Sequence, residues 1–197
     1  MILDLEMSLE ELKLPSAKYM VLPINASLDK FKEKILKLHF PLWIKINSAE
    51  HKLKLGGVKK VSSYEELKTE YENMKTIFSG KKFILQEDVP GLEIIAGVKK
   101  DNTFGRVLLI GAGGSFTELL KDTSFRVLPI DKQEILTALK ELKIFKIIEE
   151  KNLAINSLVD LLYKFAQKKI SEADLNPIIL NENQALVVDA RIEFEED

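Results

Sequence analysis

Lys45-Ile46-Asn47-Ser48-Ala49-Glu50-His51-Lys52-Leu53-Lys54-Leu55-Gly56-Gly57 is the stretch from which the rest of the chain can be read. Lys45 ends an apolar run, Leu42-Trp43-Ile44, that reads as a strand. A polar loop follows, carrying His51, one of the two His of the chain, and a Gly pair closes it before Val58. Adjacent glycines let backbone N–H groups approach an anion, because no Cβ stands in the way. A Lys at a strand end adds a point charge suited to phosphate. Two readings fit these residues. One is a phosphate-covering loop with a His at its tip, and the other is a surface hairpin closed by a Gly turn.

Working outward, the chain has 197 residues, of which 46% are hydrophobic, enough to bury a core in one domain or two small lobes. Charged residues make up 30%, yet the net charge is -2, so the two signs are interspersed as on a solvated surface. No Lys/Arg block with interleaved aromatics occurs, which argues against nucleic acid as a partner. There is no Cys, so thiolate nucleophiles, Cys-held metals and disulfides are excluded. No apolar run reaches the roughly 18–20 residues of a membrane span. Met1-Ile2-Leu3-Asp4-Leu5-Glu6 lacks the basic start of a secretory leader. The expectation is a cytoplasmic protein without a membrane partner.

The order of elements is readable on both sides of the opening stretch. Lys18–Leu22 reads as a strand. Ser27 reads as the N-cap of a helix with Leu28, Phe31, Ile35 and Leu38 at helical spacing. Ser63-Tyr64-Glu65-Glu66 is a capping box ahead of Leu67, Tyr71 and Met74. Phe83-Ile84-Leu85 is a buried strand that ends in the turn Gln86–Gly91. The first half is therefore β-α-β-β-α-β. In the second half, Leu92–Val98 and Val107–Ile110 read as strands around a turn at Lys99–Gly105, and Phe125–Leu128 as another. Lys132–Leu142 and Ile155–Gln167 read as amphipathic helices, and Phe145–Asn152 as a short charged connection. Ala173–Leu180 and Ala185–Ala190 read as a terminal hairpin turning at Asn181-Glu182-Asn183. The expected class is α+β, with one lobe over residues 1–86, a second over 87–197, and a cleft between two sheets.

Three further groups could carry chemistry. Gly111-Ala112-Gly113-Gly114 follows a strand but lacks the third glycine spacing of a dinucleotide fingerprint, so a strand-end turn is the alternative. Asp174 and Asn176 are two apart on one strand and share a face, with Asp189 on the partner strand. Oxygen ligands set across a ladder suit Mg²⁺ that is also held by phosphates, although ordinary hairpin-end residues would look the same. Glu87 and Glu93 flank a Pro-Gly turn at the lobe junction, where a carboxylate could accept from ribose hydroxyls or simply be solvated. His39, between Leu38 and Phe40, reads as structural.

In this order, the pieces resemble the β subunits of the archaeal ADP-forming acetyl-CoA synthetases, which are ATP-grasp proteins. The matching residues are Lys45-Ile46, His51-Lys52, Leu55-Gly56-Gly57-Val58, Glu87–Gly91, Glu93, Phe104-Gly105, Gly111–Phe116, Leu120–Arg126, Asp174–Pro177 and Val188–Arg191. The resemblance implies an ATP-grasp fold with ADP or ATP and Mg²⁺ between two lobes. It places Lys45 on phosphate and Gly56-Gly57 in the covering loop. Glu87, Asp88 and Val89 would form the adenine-side hinge, Glu93 would lie near the ribose, and Asn176 and Asp189 would hold Mg²⁺. It further implies an acid–thiol ligase that makes ATP from an acyl-CoA, ADP and phosphate by a phosphohistidine relay. His51 would be the relay residue, and a CoA-binding α subunit the partner, in an α2β2 assembly. The chain departs from the family at Lys54, where an acidic residue is usual, and at Phe145–Asn152, which replaces a Gly- and Arg-containing loop. Two other readings are a non-catalytic paralogue that binds nucleotide or the α subunit, and an ATP-grasp carboxylate ligase acting alone.

Overall fold

A computed structural model describes residues 2–48, 56–114 and 121–193. His51, Lys52, Lys54 and Leu55 of the opening stretch, and Ser115, Phe116 and Leu120, lie outside the described residues. The chain forms two compact units. One comprises Asp4–Glu6 and Ala17–Val89; the other comprises Met1–Leu3, Met7–Ser16 and Pro90–Asp197. Helix α1 (Leu5–Leu12) thus contributes residues to both.

The smaller unit holds β1 (Tyr19–Leu22), α2 (Leu28–Ile35), β2 (Leu42–Ile46), β3 (Val58–Val61), α3 (Tyr64–Ile77) and β4 (Phe83–Glu87), the β-α-β-β-α-β order expected from the sequence. Its sheet has the order β1-β4-β2-β3 and every pairing is antiparallel. Strand alternation sends Leu42, Ile44, Ile46, Phe83 and Leu85 to one face, where they meet Leu28, Ile35, Leu67, Tyr71 and Met74 of the two helices. Each such side chain contributes about 1.5–3 kcal/mol by leaving water. Tyr71 packs edge-on to Phe83 with ring centroids 5.3 Å apart, and its hydroxyl donates to the Ala26 carbonyl. The Ser63 cap forms as read, with the Glu66 N–H donating to Ser63 Oγ, but the Glu66 carboxylate reaches one residue past the cap and accepts from the Ser62 N–H. Ser27 stands at the N-cap of α2 with extended backbone, but its side chain makes no capping bond there.

The larger unit is built on a six-stranded antiparallel sheet of β5 (Leu92–Asp101), β6 (Gly105–Ala112), β7 (Thr123–Val127), β8 (Glu172–Leu180), β9 (Ala185–Val187) and β10 (Ala190–Glu193). Helices α4 (Lys132–Lys140) and α6 (Ile155–Ala166) pack against each other, α4 also against β6 and β7, and α6 against β9. Three readings are corrected here. The β5–β6 hairpin runs on to Asp101 and restarts at Gly105, so the turn is only three residues long. Its tip is fixed by Asp101 Oδ1, which accepts from the Thr103 and Phe104 N–H groups. Phe145–Glu150 is a short helix, α5, rather than a loop. The terminal hairpin is split: β9 pairs only with the later half of β8, and β10 takes the earlier half.

The motif Leu120–Arg126 does structural work in its described part. Both oxygens of the buried Asp122 accept from the Lys143 and Ile144 N–H groups, at 2.8 and 2.9 Å, pinning the entry to α5. Arg126 bonds Glu134 and Glu141 on and just after α4 at 2.7 and 2.6 Å. Among the described residues, no helix is long and apolar enough to cross a membrane.

Candidate functional site

On the small sheet, the residues between the core positions point to the opposite face. Register places Tyr19, Gln86, Trp43 and Lys60 in one cross-strand row, and Val21, Ile84, Lys45 and Val58 in the next. Lys45 is 4% exposed, and its Nζ donates to Gln86 Oε1 at 2.6 Å. Asp88, two residues beyond Gln86, accepts from the Trp43 indole N–H at 2.6 Å through one oxygen and from Lys60 Nζ at 2.8 Å through the other. Lys60 also stands over the Trp43 ring, 5.5 Å from its centroid.

Glu87 turns to other partners. Its carboxylate accepts from the His39 N–H, lies 3.0 Å from His39 Nδ1, and faces Lys18 Nζ at 3.6 Å. Burial alone would raise its pKa, but the His39 backbone and ring bonds and the Lys18 charge outweigh burial and hold it below the ordinary value. The N–H groups of Glu87 and Asp88 donate to the carbonyls of Lys18 and Pro41. Gly56 has φ of +68°, and among the described residues nothing lies within 4 Å of a Cβ built there, so backbone conformation is what favours glycine. The Gly57 carbonyl accepts from the Ile46 N–H, tying the end of the opening stretch to β2.

The larger unit holds Glu93, Asn176 and Asp189. The glycine tract at 111–114 forms a seat for Glu93. The Gly113 N–H donates to the Glu93 carbonyl at 2.8 Å, and a Cβ on Gly113 would meet the Glu93 backbone at 2.9 Å. A Cβ on Gly114 would meet the Glu93 carboxylate at 2.7 Å. Asn176 and Asp189 are brought together, because the Asn176 N–H donates to the Asp189 carbonyl and the Val188 N–H donates to the Pro177 carbonyl. These bonds carry the ladder across the two residues that separate β9 from β10. Asp189 therefore lies in that gap, not on a strand, and Asp174 is opposite Arg191. Asp189 Oδ1 accepts from the Ala190 N–H. Asp174 is exposed along the groove of the large sheet, where partial desolvation and then the Glu172 charge push it above the ordinary carboxylate value, with Arg191 and Lys99 opposing. The amide oxygen of an Asn and the carboxylate of an Asp are hard donors of the kind Mg²⁺ takes when phosphates and water complete its shell. Among the described residues, no group of three or more His, Cys, Asp and Glu could hold a metal by itself.

The sequence reading did not single out Gln86, Trp43 or Lys60. One signal was available for Gln86: it is the polar residue that ends the apolar run Phe83-Ile84-Leu85.

Comparison with known proteins adds the family context. The family described as ATP-grasp domain matches residues 9–194. The β subunit of acetate–CoA ligase [ADP-forming] I from Pyrococcus furiosus is 34% identical over 179 residues, covering 79% of this chain and 76% of that subunit. Acetate–CoA ligase [ADP-forming] II from Archaeoglobus fulgidus is 34% identical over 167 residues, but the match covers only 25% of that longer protein. This chain thus spans about a quarter of a single-chain ligase and most of a separate β subunit. Among solved structures, acetyl-coenzyme A synthetase 1 of Ca. Korarchaeum cryptofilum, with coenzyme A and Mg-AMPPCP and a phosphohistidine segment pointing towards the nucleotide binding site, superposes with a TM-score of 0.77. That match has 29% identity and covers 95% of this chain and 88% of that one. The α+β ATP-grasp architecture expected from the sequence is borne out by these matches.

Proposed function

From the premise that the chain belongs to the ATP-grasp domain family of the ADP-forming acetyl-CoA synthetases, we propose that it is the nucleotide-binding β subunit of an ADP-forming acyl-CoA synthetase. The observation that carries this reading is the match to a separate β subunit at 34% identity over most of both chains. The net reaction is acyl-CoA + ADP + phosphate ⇌ carboxylate + ATP + CoA. It takes place in the cytoplasm with a CoA-binding α subunit, in an α2β2 assembly, with no role for nucleic acid or membrane.

The residues divide the work by chemistry. Lys45 donates to phosphate oxygens, and Gly56-Gly57 lets backbone approach them. The side chains of Glu87 and Asp88 are engaged within the protein, as are their N–H groups. Adenine is therefore read by carbonyl oxygens of the hinge and by the Val89 N–H. Glu93, seated on its glycines, accepts from a ribose hydroxyl. Asn176 and Asp189 hold Mg²⁺, which when bound offsets phosphate charge. A neutral His51 imidazole nitrogen takes the phosphoryl group from a phosphohistidine of the partner, forming one P–N bond as the other breaks. A terminal β-phosphate oxygen of ADP then attacks phosphorus, the P–N bond to His51 breaks, and ATP leaves with the imidazole neutral again.

The test is transfer of labelled phosphate from a phosphorylated α subunit to ADP in the reconstituted complex. His51→Asn should keep ADP binding and block transfer, while His39→Asn should leave transfer intact. Normal transfer by His51→Asn would overturn the relay. The departure at Phe145–Asn152, a short helix here, favours a second reading as a non-catalytic paralogue that binds nucleotide or the α subunit. ADP binding without any transfer by the wild-type complex would decide for that paralogue. Turnover of acetate, ATP and CoA by the chain alone would instead indicate a stand-alone ligase.

A further inference from the structure

The chain leaves β2 at Asn47, the first residue beyond the strand and two past Lys45. Asn47 is buried, and a buried amide is costly unless its ends find partners. Both ends find them on one residue. Asn47 Oδ1 accepts from the Glu6 N–H at 3.1 Å, and Asn47 Nδ2 donates to Glu6 Oε2 at 3.1 Å. Lys82 closes the group. Its Nζ donates to the same Glu6 oxygen at 3.0 Å, and its carbonyl accepts from the Asn47 N–H at 2.9 Å. Glu6 is the second residue of α1, so its N–H is among those that a helix leaves unpaired at its start. Turned over, the Asn47 amide would set oxygen against carboxylate and N–H₂ against N–H. The side chain therefore has one orientation.

This clasp lies apart from what holds the small sheet together. Among the described residues, the apolar core of that unit is drawn from Met20 to Leu85 and contains none of α1. Lys45 is paired with Val58 on one side and Ile84 on the other, so the ladder fixes that lysine without Glu6. What Glu6 adds is confined to the point where the chain departs from the strand. We infer that Glu6 is a positioning residue for phosphoryl transfer, acting through Asn47 on the direction in which the chain leaves β2. This rests on the phosphohistidine-relay reading above, in which His51 follows Asn47 by four residues. Misplacing reacting groups by about 1 Å costs about a hundredfold in rate. ADP affinity depends instead on residues the sheets hold, so the clasp governs the rate of transfer and not the binding of nucleotide.

Exchanging the two side-chain types tests this. Asn47→Asp sets a second carboxylate against that of Glu6, and Glu6→Ala removes the partner altogether. In the double variant Glu6→Gln with Asn47→Asp, amide and carboxylate change places. The helix N–H again meets an oxygen at position 47, and the amide at position 6 donates to that carboxylate while its oxygen accepts from Lys82. The full-length chain is reconstituted with a phosphorylated α subunit, and passage of labelled phosphate to ADP is timed. ADP affinity is measured by calorimetry, with thermal unfolding alongside. Each single variant should slow transfer at least about tenfold with ADP affinity unchanged, and the double variant should return transfer to near the wild-type rate. Wild-type transfer in both single variants overturns the inference while leaving the relay in place. So does slowed transfer that the exchange fails to restore, or a loss of ADP affinity in step with the rate, which is what a merely structural role gives. Absence of transfer in the wild-type complex overturns the relay reading and the inference with it.

Discussion

On the small sheet, the face turned from the helices carries Trp43, Lys45, Lys60 and Gln86, with Asp88 at the end of β4, and their polar heads bond to one another at 2.6–2.8 Å. On the large sheet, the face turned from the helices carries Val107, Leu109, Phe125 and Val127 along a groove of about 610 Å³, with Lys99, Glu172 and Asp174 at its other side. Phe104 and Phe125 are largely exposed there. Hydrogen bonds are directional, so the first face is held in a single arrangement. Apolar contact is not directional, so the second imposes no such arrangement. Two sheets of one chain thus reach different degrees of pre-organisation through the residues they place between their core positions.

The sharpest way to break this contrast is to remove the cation from the ordered face. Lys45→Met should weaken ADP binding about a hundredfold, in line with the roughly 1.5–3 kcal/mol of a hydrogen bond to a charged group. Calorimetry gives the answer, and unchanged affinity would mean that the ordered face serves only the fold. Next in size comes Gly113→Ala in the large unit. Its Cβ would sit 2.9 Å from the Glu93 backbone, and overpacking of this kind costs roughly 1–3 kcal/mol, visible as a lower denaturation midpoint. Gly56→Ala in the small unit meets no atom of the described residues within 4 Å but keeps a φ of +68°, so it should cost only about 1 kcal/mol. If the two glycine variants cost the same, steric seating of Glu93 is not the reason for Gly113.

The smallest effects are two pH dependences of opposite sign. The folded-state pKa of Glu87 is depressed, so its stabilising contribution is present above the unfolded value and is lost as pH falls through the folded one. Glu87→Gln should therefore lower the melting temperature at neutral pH, with the deficit closing on acidification. The folded-state pKa of Asp174 is raised, so its contribution is present below the unfolded value and is lost as pH rises through the folded one. Asp174→Asn should raise the melting temperature at neutral pH, and that gain should vanish in acid. Thermal melts from acid to neutral pH check both, and parallel curves for the two variants would erase the distinction.

The elements that were readable are those with local signals. Ser63 with Glu66 and the 3.6-residue spacing of Leu67, Tyr71 and Met74 need only their neighbours in sequence. What failed was non-local. Lys99-Lys100-Asp101 reads as a turn by composition but continues β5, because its charges sit at the exposed end of a paired hairpin. The terminal hairpin was misread because β8 divides its edge between two short partners, which no local pattern announces. In the candidate site, Lys45, the Gly pair and Asn176 stand out by residue type and context. Gln86 does not, since its importance lies in a bond to a residue 41 positions away that exists only once β2 and β4 are in register.

The division of β8 has a consequence for motion. One edge is paired with β5 and the other is shared by β9, the bridge at Val188–Asp189 and β10, so amides along both edges are locked in ladders. Amides of this kind exchange with solvent only when the surrounding sheet opens as a whole. In deuterated water, β8 should be among the last segments to take up label. Asn176, whose N–H bonds the Asp189 carbonyl, would then ride on the stiffest part of the larger unit, and a ligand held by this pair would find its oxygens already in place.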